Sequence, residues 1–286
     1  MQPALIQSIA EMQNQALAWR AKGKRVGLAP TMGYLHEGHL SLMRLLRPRC
    51  DILVASIFVN PTQFGPNEDF SRYPRDLQRD LELCAATQCD VVFHPSTDEI
   101  YPANFRTHLE VSELTDHLCG PWRPGHFRGV TTIVGILFNL VQPHLAAFGQ
   151  KDAQQALVIE RMVRDLRWPI EIVIAPTVRE PDGLAMSSRN VYLSPNERRE
   201  ATALIHSLQL AQELIRQGEK TAARVIGDMR RLLEREISSP VIEYVSIVDR
   251  ESLQPIERIE GRFVIALAVR IGRTRLIDNM MFDLPK

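Results

Sequence analysis

The sequence predicts an α/β protein, with a Rossmann-like parallel sheet in an N-terminal domain and a smaller α+β domain behind it. Three observations carry that prediction. Apolar runs of strand length alternate with segments of helical periodicity through residue 175, and the run 51–59 has no polar alternation. Such a run suits a parallel strand covered on both faces. Two of the runs, 26–29 and 145–148, pass through a glycine-containing turn directly into a helix. Beyond Pro176 the pattern changes to two long charged helices, 194–217 and 221–236, and then alternating strands at 241–248, 262–270 and 274–277. The boundary therefore falls near Pro176, giving domains 1–175 and 176–286.

The other elements follow in order. Residues 6–22 read as an amphipathic helix, and the apolar run at 26–29 is the first strand. A helix begins near Leu40, whose following leucines keep helical spacing. After the strand at 51–59 come a loop at 65–74, a helix at 75–87 with Leu77, Leu81 and Cys84 on one stripe, and a strand at 90–94. A short strand is expected near 107–111, then a Gly/Pro-dense loop at 120–129 and a helix at 130–141. The strand at 145–148 leads through 149–152 into a helix at 153–166, and 170–175 is the last strand of this domain.

Length and composition bound the function. The chain has 286 residues, 45% of them apolar, enough for about two domains with ordinary cores. Lys plus Arg equals Asp plus Glu at 34 each, so the net charge is zero. That excludes the electrostatic footprint of a nucleic-acid binder or of a protein held on an anionic membrane. Any bound phosphate must be held by a local cluster of cations and amides. The four cysteines, Cys50, Cys84, Cys89 and Cys119, form no C-x-x-C and no zinc spacing, and read as free buried thiols in a reducing cytoplasm. The first 20 residues lack a signal-peptide pattern, and no apolar run reaches membrane-spanning length. The expectation is a cytoplasmic enzyme or binding protein.

The chemistry gathers at Pro30-Thr-Met-Gly-Tyr-Leu-His-Glu-Gly-His39, between the first strand and its helix. Gly33 and Gly38 allow close backbone approach, and the first helical amides favour an anion. A lone histidine here would cap the helix or pack on the strand end. Two histidines around a glycine, three residues apart, point instead to a phosphate site. The G-x-G-x-x-G and P-loop fingerprints are absent. Asn60 and Gln63 follow the second strand, placed either to hydrogen-bond a small polar substrate or to build a Pro-containing turn. Glu68 and Asp69 either cap the next helix or meet a metal. Arg123, His126 and Arg128 add positive charge to the 120–129 loop, either as surface charge or, beside a helix start, for an anion or acid nearby. Lys151 stands in the second strand–glycine turn, Asp152 can cap the helix or accept ribose hydroxyls, and Gln155 lies one turn in. Ser187 and Ser188 offer hydroxyls, and Arg189 offers a planar fork for phosphate.

His-x-Gly-His resembles the nucleotide-binding motif of the nucleotidyltransferase superfamily. With Phe58-Val-Asn-Pro-Thr-Gln-Phe64, Arg123-Pro-Gly-His-Phe-Arg-Gly-Val130, Phe148-Gly-Gln-Lys-Asp-Ala-Gln-Gln155, Asp182-Gly-Leu-Ala-Met-Ser-Ser-Arg-Asn-Val-Tyr-Leu193 and Gly272-Arg-Thr-Arg-Leu-Ile-Asp-Asn279, the chain resembles the pantothenate synthetase (pantoate–β-alanine ligase) family along nearly its whole length. The resemblance implies that ATP and pantoate form a bound pantoyl adenylate and pyrophosphate, and that β-alanine then releases pantothenate and AMP. It implies Mg²⁺, a homodimer and a C-terminal lid. It places Met32, Gly33, Tyr34, Leu35, His36, Glu37, Gly38 and His39 at ATP, with Gly149, Gln150, Lys151, Asp152, Val178, Met186, Ser187, Ser188 and Arg189. His39 is then the principal catalytic histidine, acting with His36, Lys151 and Arg189, while Gln63 and Gln155 hold pantoate and Gln63 lies near β-alanine. No metal ligand is implied by residue. Gln150 departs from the family, which commonly has Glu there; the change matters if that position acts through its charge. Another nucleotidyltransferase, with a phosphorylated acceptor, would call for a second phosphate cluster, but Asn60, Gln63 and Gln155 are neutral amides. A class I aminoacyl-tRNA synthetase would be longer and more basic. A non-catalytic nucleotide sensor would not need both histidines, Lys151 and Arg189.

Overall fold

The computed structural model describes residues 2–66 and 68–285. The chain divides into two compact units. One runs as far as Val111 and adds Arg123–Gln150 and Val158–Pro176; the other takes Ser112–Trp122, Lys151–Leu157 and the chain from Thr177 onward.

The first unit is built on a parallel sheet of β1 (Ala4–Ile6), β2 (Val26–Thr31), β3 (Ile52–Ile57), β4 (Val91–Phe93), β5 (Leu145–Gly149) and β6 (Glu171–Ala175), in the spatial order β1-β4-β3-β2-β5-β6. The chain lays β2, β3 and β4 outward in one direction, then returns to place β5 and β6 on the other flank of β2. That reversal is a topological switch point, where α/β sheets bind ligands beyond their carboxyl ends. The β2–β5 ladder pairs Gly27 with Leu145 and Leu28 with Ala146 and then stops, so the two strands part toward those ends. β1 falls where the sequence suggested the start of a helix. Three residues are too few to show a periodicity, and β1 is held by pairing with β4.

The helices of the chain to this point are α1 (Ile9–Ala21), α2 (Glu37–Leu46), α3 (Leu77–Ala86), α4 (Thr97–Ile100), α5 (His126–Val141) and α6 (Ala153–Asp165), the last beginning in the second unit and ending in the first. Ser8 starts α1 late, because its Oγ accepts the Glu11 amide as an N-cap. Leu40, Met43 and Leu46 of α2 and Cys84 of α3 pack over Ala29, Leu53 and Ala55 of the strands. α5 lies against α1 and β2, apolar on almost every side. The strand expected at 107–111 does not form. Leu109 N donates to Thr132 Oγ1 at 3.0 Å, and Thr131 Oγ1 donates to Leu109 O at 2.7 Å. The threonines of α5 thus satisfy this backbone without a strand partner.

The second unit is an antiparallel sheet in the order β7-β8-β9, formed by β7 (Val241–Asp249), β8 (Arg262–Ile271) and β9 (Thr274–Asp283). The helix expected over 194–217 is two, α7 (Pro195–Glu200) and α8 (Ala203–Arg216), followed by α9 (Ala222–Glu236). Ser194 and Glu197 close a capping box with Pro195 in the first turn, the arrangement that Ser-Pro-x-Glu favours. Leu204, Leu208, Val225, Met229 and Leu233 form the core with Phe263, Ile265 and Leu267. A bulge between Ile242 and Tyr244 turns Glu243 inward, where its carboxylate accepts from Arg270 Nε at 2.8 Å and Arg275 Nε at 2.7 Å. β9 runs on past the expected end at 277, pairing Asp278 and Asn279 against Leu267 and Ala266.

Gly129 in α5 packs directly on the 60–63 turn, where an added Cβ would lie 2.4 Å from Thr62 O and 2.7 Å from Gln63 N. Gly227 in α9 has only the flexible end of Arg231, 3.5 Å from an added Cβ. Gly129→Ala is expected to lower stability by about 1–3 kcal/mol through overpacking against backbone. Gly227→Ala is expected to raise it by about 0.5–1 kcal/mol by removing helix-interior glycine. Urea titration of the two variants beside the parent checks both signs.

Candidate active site

The turn after β2 is held by its own histidines. His36 is the N-cap of α2, and its Nδ1 accepts the Gly38 amide at 3.1 Å. His39 reaches back, and its Nδ1 accepts the His36 amide at 3.3 Å. The result is a capping box made of two imidazoles, with ring centroids 4.1 Å apart. An Nδ1 that accepts a hydrogen bond carries no proton, so each neutral ring holds its hydrogen on Nε2. Gly38 makes this possible, since a Cβ there would lie 2.9 Å from His36 Cε1. The glycine between the histidines therefore makes room for the ring before it. Capping and donation to an anion are not rivals here; the cap uses Nδ1 and assigns the donor hydrogen to Nε2.

Asp80 supports the same turn from α3. It is 1% exposed, and its two oxygens accept the Tyr34 and Leu35 amides, each at 2.7 Å. Gly33 has φ +81°, and a Cβ there would meet Ile57 Cγ2 at 2.9 Å and Asp80 Oδ2 at 3.0 Å. Burial pushes the Asp80 carboxyl above its usual range, and the two amides with Arg79 only partly oppose that. The Arg79 guanidinium lies 5.1 Å from the Tyr34 ring centroid. Leu35 is fully buried, and Glu37 pairs with Arg44 on its own helix. Asp80 had no role in the sequence reading. Its signal was an acid on the apolar stripe of Leu77, Leu81 and Cys84.

At the end of β3, Asn60 serves the turn. It is buried, and its Nδ2 donates to Gly129 O and to Gln63 Oε1, both at 3.1 Å. Its Oδ1 accepts from Tyr101 Oη and Thr62 Oγ1, both at 2.9 Å. The Gln63 amide, oriented by Asn60, donates through Nε2 to Met32 Sδ at 3.2 Å, so these two expected site residues meet. His126 Nδ1 lies 2.9 Å from Gln63 O, and Arg123 Nη2 donates to that oxygen at 3.4 Å. Arg123 also grips Glu68, through Nε at 2.7 Å and Nη2 at 2.5 Å. Burial pushes the Glu68 carboxyl up, but Arg123, with His126 nearby, outweighs it and holds the group below its usual range. Glu68 is therefore the ion-pair partner of Arg123 rather than a helix cap, and α3 is capped by Asp76. Arg123 and His126 brace the backbone of Gln63, while Arg128 is exposed.

Gly149 ends β5 and Gln150 opens the next turn. In the second unit, Lys151 Nζ lies 3.7 Å from Asp152 Oδ2, and Asn279 Nδ2 donates to Lys151 O at 2.9 Å. Gln155 is half-buried. Its neighbour Gln154 is buried and holds the 112–122 segment, accepting from Cys119 N and donating to Leu114 O and His117 O. Met186 N donates to Val178 O at 3.0 Å, which joins Val178 to the segment carrying Ser187, Ser188 and Arg189. Ser187 Oγ accepts the Arg189 amide at 3.3 Å, and Ser188 is buried. Among the described residues, no group of three or more His, Cys, Asp or Glu side chains could hold a metal, and no helix is long and apolar enough to cross a membrane.

Comparison with known proteins places the chain in a family. The family model described as pantoate-beta-alanine ligase matches residues 4–281. Pantothenate synthetase of Moorella thermoacetica is 57% identical over 282 residues, 98% of each chain. The crystal structure of pantothenate synthetase from Thermus thermophilus superposes with a TM-score of 0.91 at 44% identity, covering 97% of this chain and 98% of the other. A pantoate-beta-alanine ligase from Francisella tularensis, crystallised with beta-gamma ATP and beta-alanine, gives 0.76 at 32% identity, covering 98% and 97%. By its sequence from end to end and by its fold, the chain belongs to the pantoate–β-alanine ligase family.

Proposed function

We propose that this chain condenses pantoate with β-alanine to form pantothenate, using ATP and releasing AMP and pyrophosphate through a pantoyl adenylate. The observation that carries the reading is the reciprocal histidine cap at the carboxyl end of β2, beside the switch point with β5. It assigns two Nε2–H donors to the first turn of a helix, where anions are favoured.

The roles are those the family resemblance implies, and the chemistry is compatible with them. A pantoate carboxylate oxygen attacks the α-phosphorus of ATP, and pyrophosphate leaves. The amine of β-alanine then attacks the acyl carbon, and AMP leaves. Both steps need positioning and charge neutralisation more than a nucleophilic side chain. His36, His39, Lys151 and Arg189 neutralise phosphate charge, with His39 the principal catalytic histidine. Residues 32–39, Gly149, Gln150, Asp152, Val178 and 186–188 bind the nucleotide. An added Cβ at Gly149 would meet no described atom within 4 Å, and its φ is not left-handed, so neither packing nor backbone conformation requires glycine there. Gln63 and Gln155 hold pantoate, Gln63 also beside β-alanine. Mg²⁺ belongs to the reading as the partner of ATP, where it would add to the neutralisation of phosphate charge. The reading includes a homodimer, a second unit that acts as a lid against hydrolysis of the adenylate, and a cytoplasmic location.

Purified protein given ATP, Mg²⁺, pantoate and β-alanine is expected to release AMP only when all are present. Without β-alanine, labelled pyrophosphate should still exchange into ATP, provided pantoate is added. Exchange of phosphate instead would indicate an acyl phosphate and overturn the reading. His39→Ala should keep its fold and lose about 10²–10³ in turnover, as expected for one transition-state donor. Asp80→Asn should lose less, about tenfold, since one of two buried amides is left without its acceptor. Its loss should fall on pyrophosphate exchange and spare amide formation from preformed pantoyl adenylate. Wild-type exchange in Asp80→Asn would remove that carboxylate from the account.

A further inference from the structure

Gly272-Arg-Thr-Arg-Leu-Ile-Asp-Asn279 contains buried polar side chains that no step of the reaction uses. Asp278 and Asn279 are 2% and 3% exposed in the middle of β9. Side chains of this kind persist in a core only when their hydrogen bonds are made, and here the bonds lead to the segments assigned to the nucleotide. Asp278 Oδ2 and Oδ1 accept from Arg179 Nη1 at 2.7 Å and Nη2 at 3.0 Å. Arg179 Nη1 also donates to Gly183 O at 3.0 Å, closing the turn whose outer pair joins Met186 N to Val178 O. That turn delivers Ser187, Ser188 and Arg189. Asn279 N donates to Asp278 Oδ1 at 2.8 Å, and Asn279 Nδ2 holds Lys151 O at 2.9 Å. Adjacent residues of one strand thus tie down two segments far apart in sequence. Arg275 adds a third tie, with Nε on Glu243 Oε2 at 2.7 Å and Nη2 3.4 Å from Cys119 Sγ, while the Cys119 amide donates to Gln154 at the start of α6.

We propose that Asn279 and Asp278 are positioning residues for adenylation: Asn279 sets the Lys151 turn, Asp278 acting through Arg179 sets the 186–189 segment, and β9 fixes the spacing of the two within the second unit. The inference rests on the ligase reading for the roles of Lys151 and Arg189. The link itself rests only on the contacts of β9. Neither residue needs to touch substrate. A strand interior is rigid, and a donor fixed there holds a loop carbonyl more closely than a loop residue would.

The test compares Asn279→Ala, Lys151→Ala and the double variant in the full-length protein. In pyrophosphate exchange Asn279→Ala should fall about tenfold, the size of an ordinary coupling between neighbours, and add little once Lys151 is already Ala. Amide formation from synthetic pantoyl adenylate should stay within about twofold, because pyrophosphate has left before that step. Hydrogen–deuterium exchange should rise in the peptide covering 149–157 and stay unchanged in α8 and α9. Asp278→Asn, which keeps the shape and weakens the grip on Arg179, should raise exchange in the peptide covering 177–189 instead, and it serves if Asn279→Ala does not fold. Losses that multiply in the double variant, equal losses in both chemical steps, or deuterium uptake spread over the whole second unit would each overturn the proposal. If the parent shows no pyrophosphate exchange, the ligase reading fails, and the peptide pattern still decides whether β9 sets these segments.

Discussion

The reciprocal cap between His36 and His39 is the interaction on which the site depends. A helix N-terminus has amides without partners, and proteins usually meet them with Ser, Thr, Asp or Asn. Here two imidazoles meet them, each through Nδ1. A hydroxyl or carboxylate cap ends in the hydrogen bond it makes. An imidazole cap has a second nitrogen, and the cap determines that this nitrogen carries the hydrogen. The structural interaction and the chemical one are then a single choice of tautomer. Around it the chain arranges rigid support. Gly38 clears space for the His36 ring, Gly33 takes a backbone conformation that its neighbours leave to glycine, and Asp80 holds the next two amides from a separate helix.

The supporting side chains form one consistent layer in the first unit. Asn60 saturates its amide in building the turn after β3, and it orients Gln63. Arg123 and His126 then fix the backbone of Gln63, with Glu68 balancing the guanidinium. The Glu68–Arg123 pair is largely screened from solvent, where desolvation offsets much of its attraction, so its effect is to position the loop more than to stabilise it. The second unit follows the same logic with β9 as its support. In both, buried polar residues on regular elements, Asp80 on α3 and Asp278 and Asn279 on β9, support the loops assigned to substrate.

The parts legible in the sequence were those with local signatures. The strand–turn–helix at 26–46, the apolar parallel strands and the change of pattern after 176 came from periodicity and turn chemistry. The His-x-Gly-His turn was conspicuous because two histidines flank a glycine. Parts decided by distant partners were not legible. β1 exists because β4 pairs with it, and the 107–111 segment is satisfied by threonines of α5. Asp278 and Asn279 interrupt the strand pattern, which predicts an end at 277; in the structure the ladder continues through them and their side chains bond Arg179 and the Lys151 carbonyl. The charge of Arg123 and His126 points in the sequence to no more than an anion or acid nearby, and Glu68 to a helix cap or a metal; that Glu68 is the acid is decided by a contact 55 residues apart.

The tautomers of His36 and His39 test the central claim most directly. Nitrogen-15 correlation spectra of the histidine rings at neutral pH, assigned with His36→Gln and His39→Gln, report which ring nitrogen holds the hydrogen. Hydrogen on Nε2 and an unprotonated Nδ1 in both rings is the predicted result, set by the two backbone amides that Nδ1 accepts. Hydrogen on Nδ1 in either ring would contradict the account, since that ring could not cap the helix and direct an Nε2–H donor at the same time.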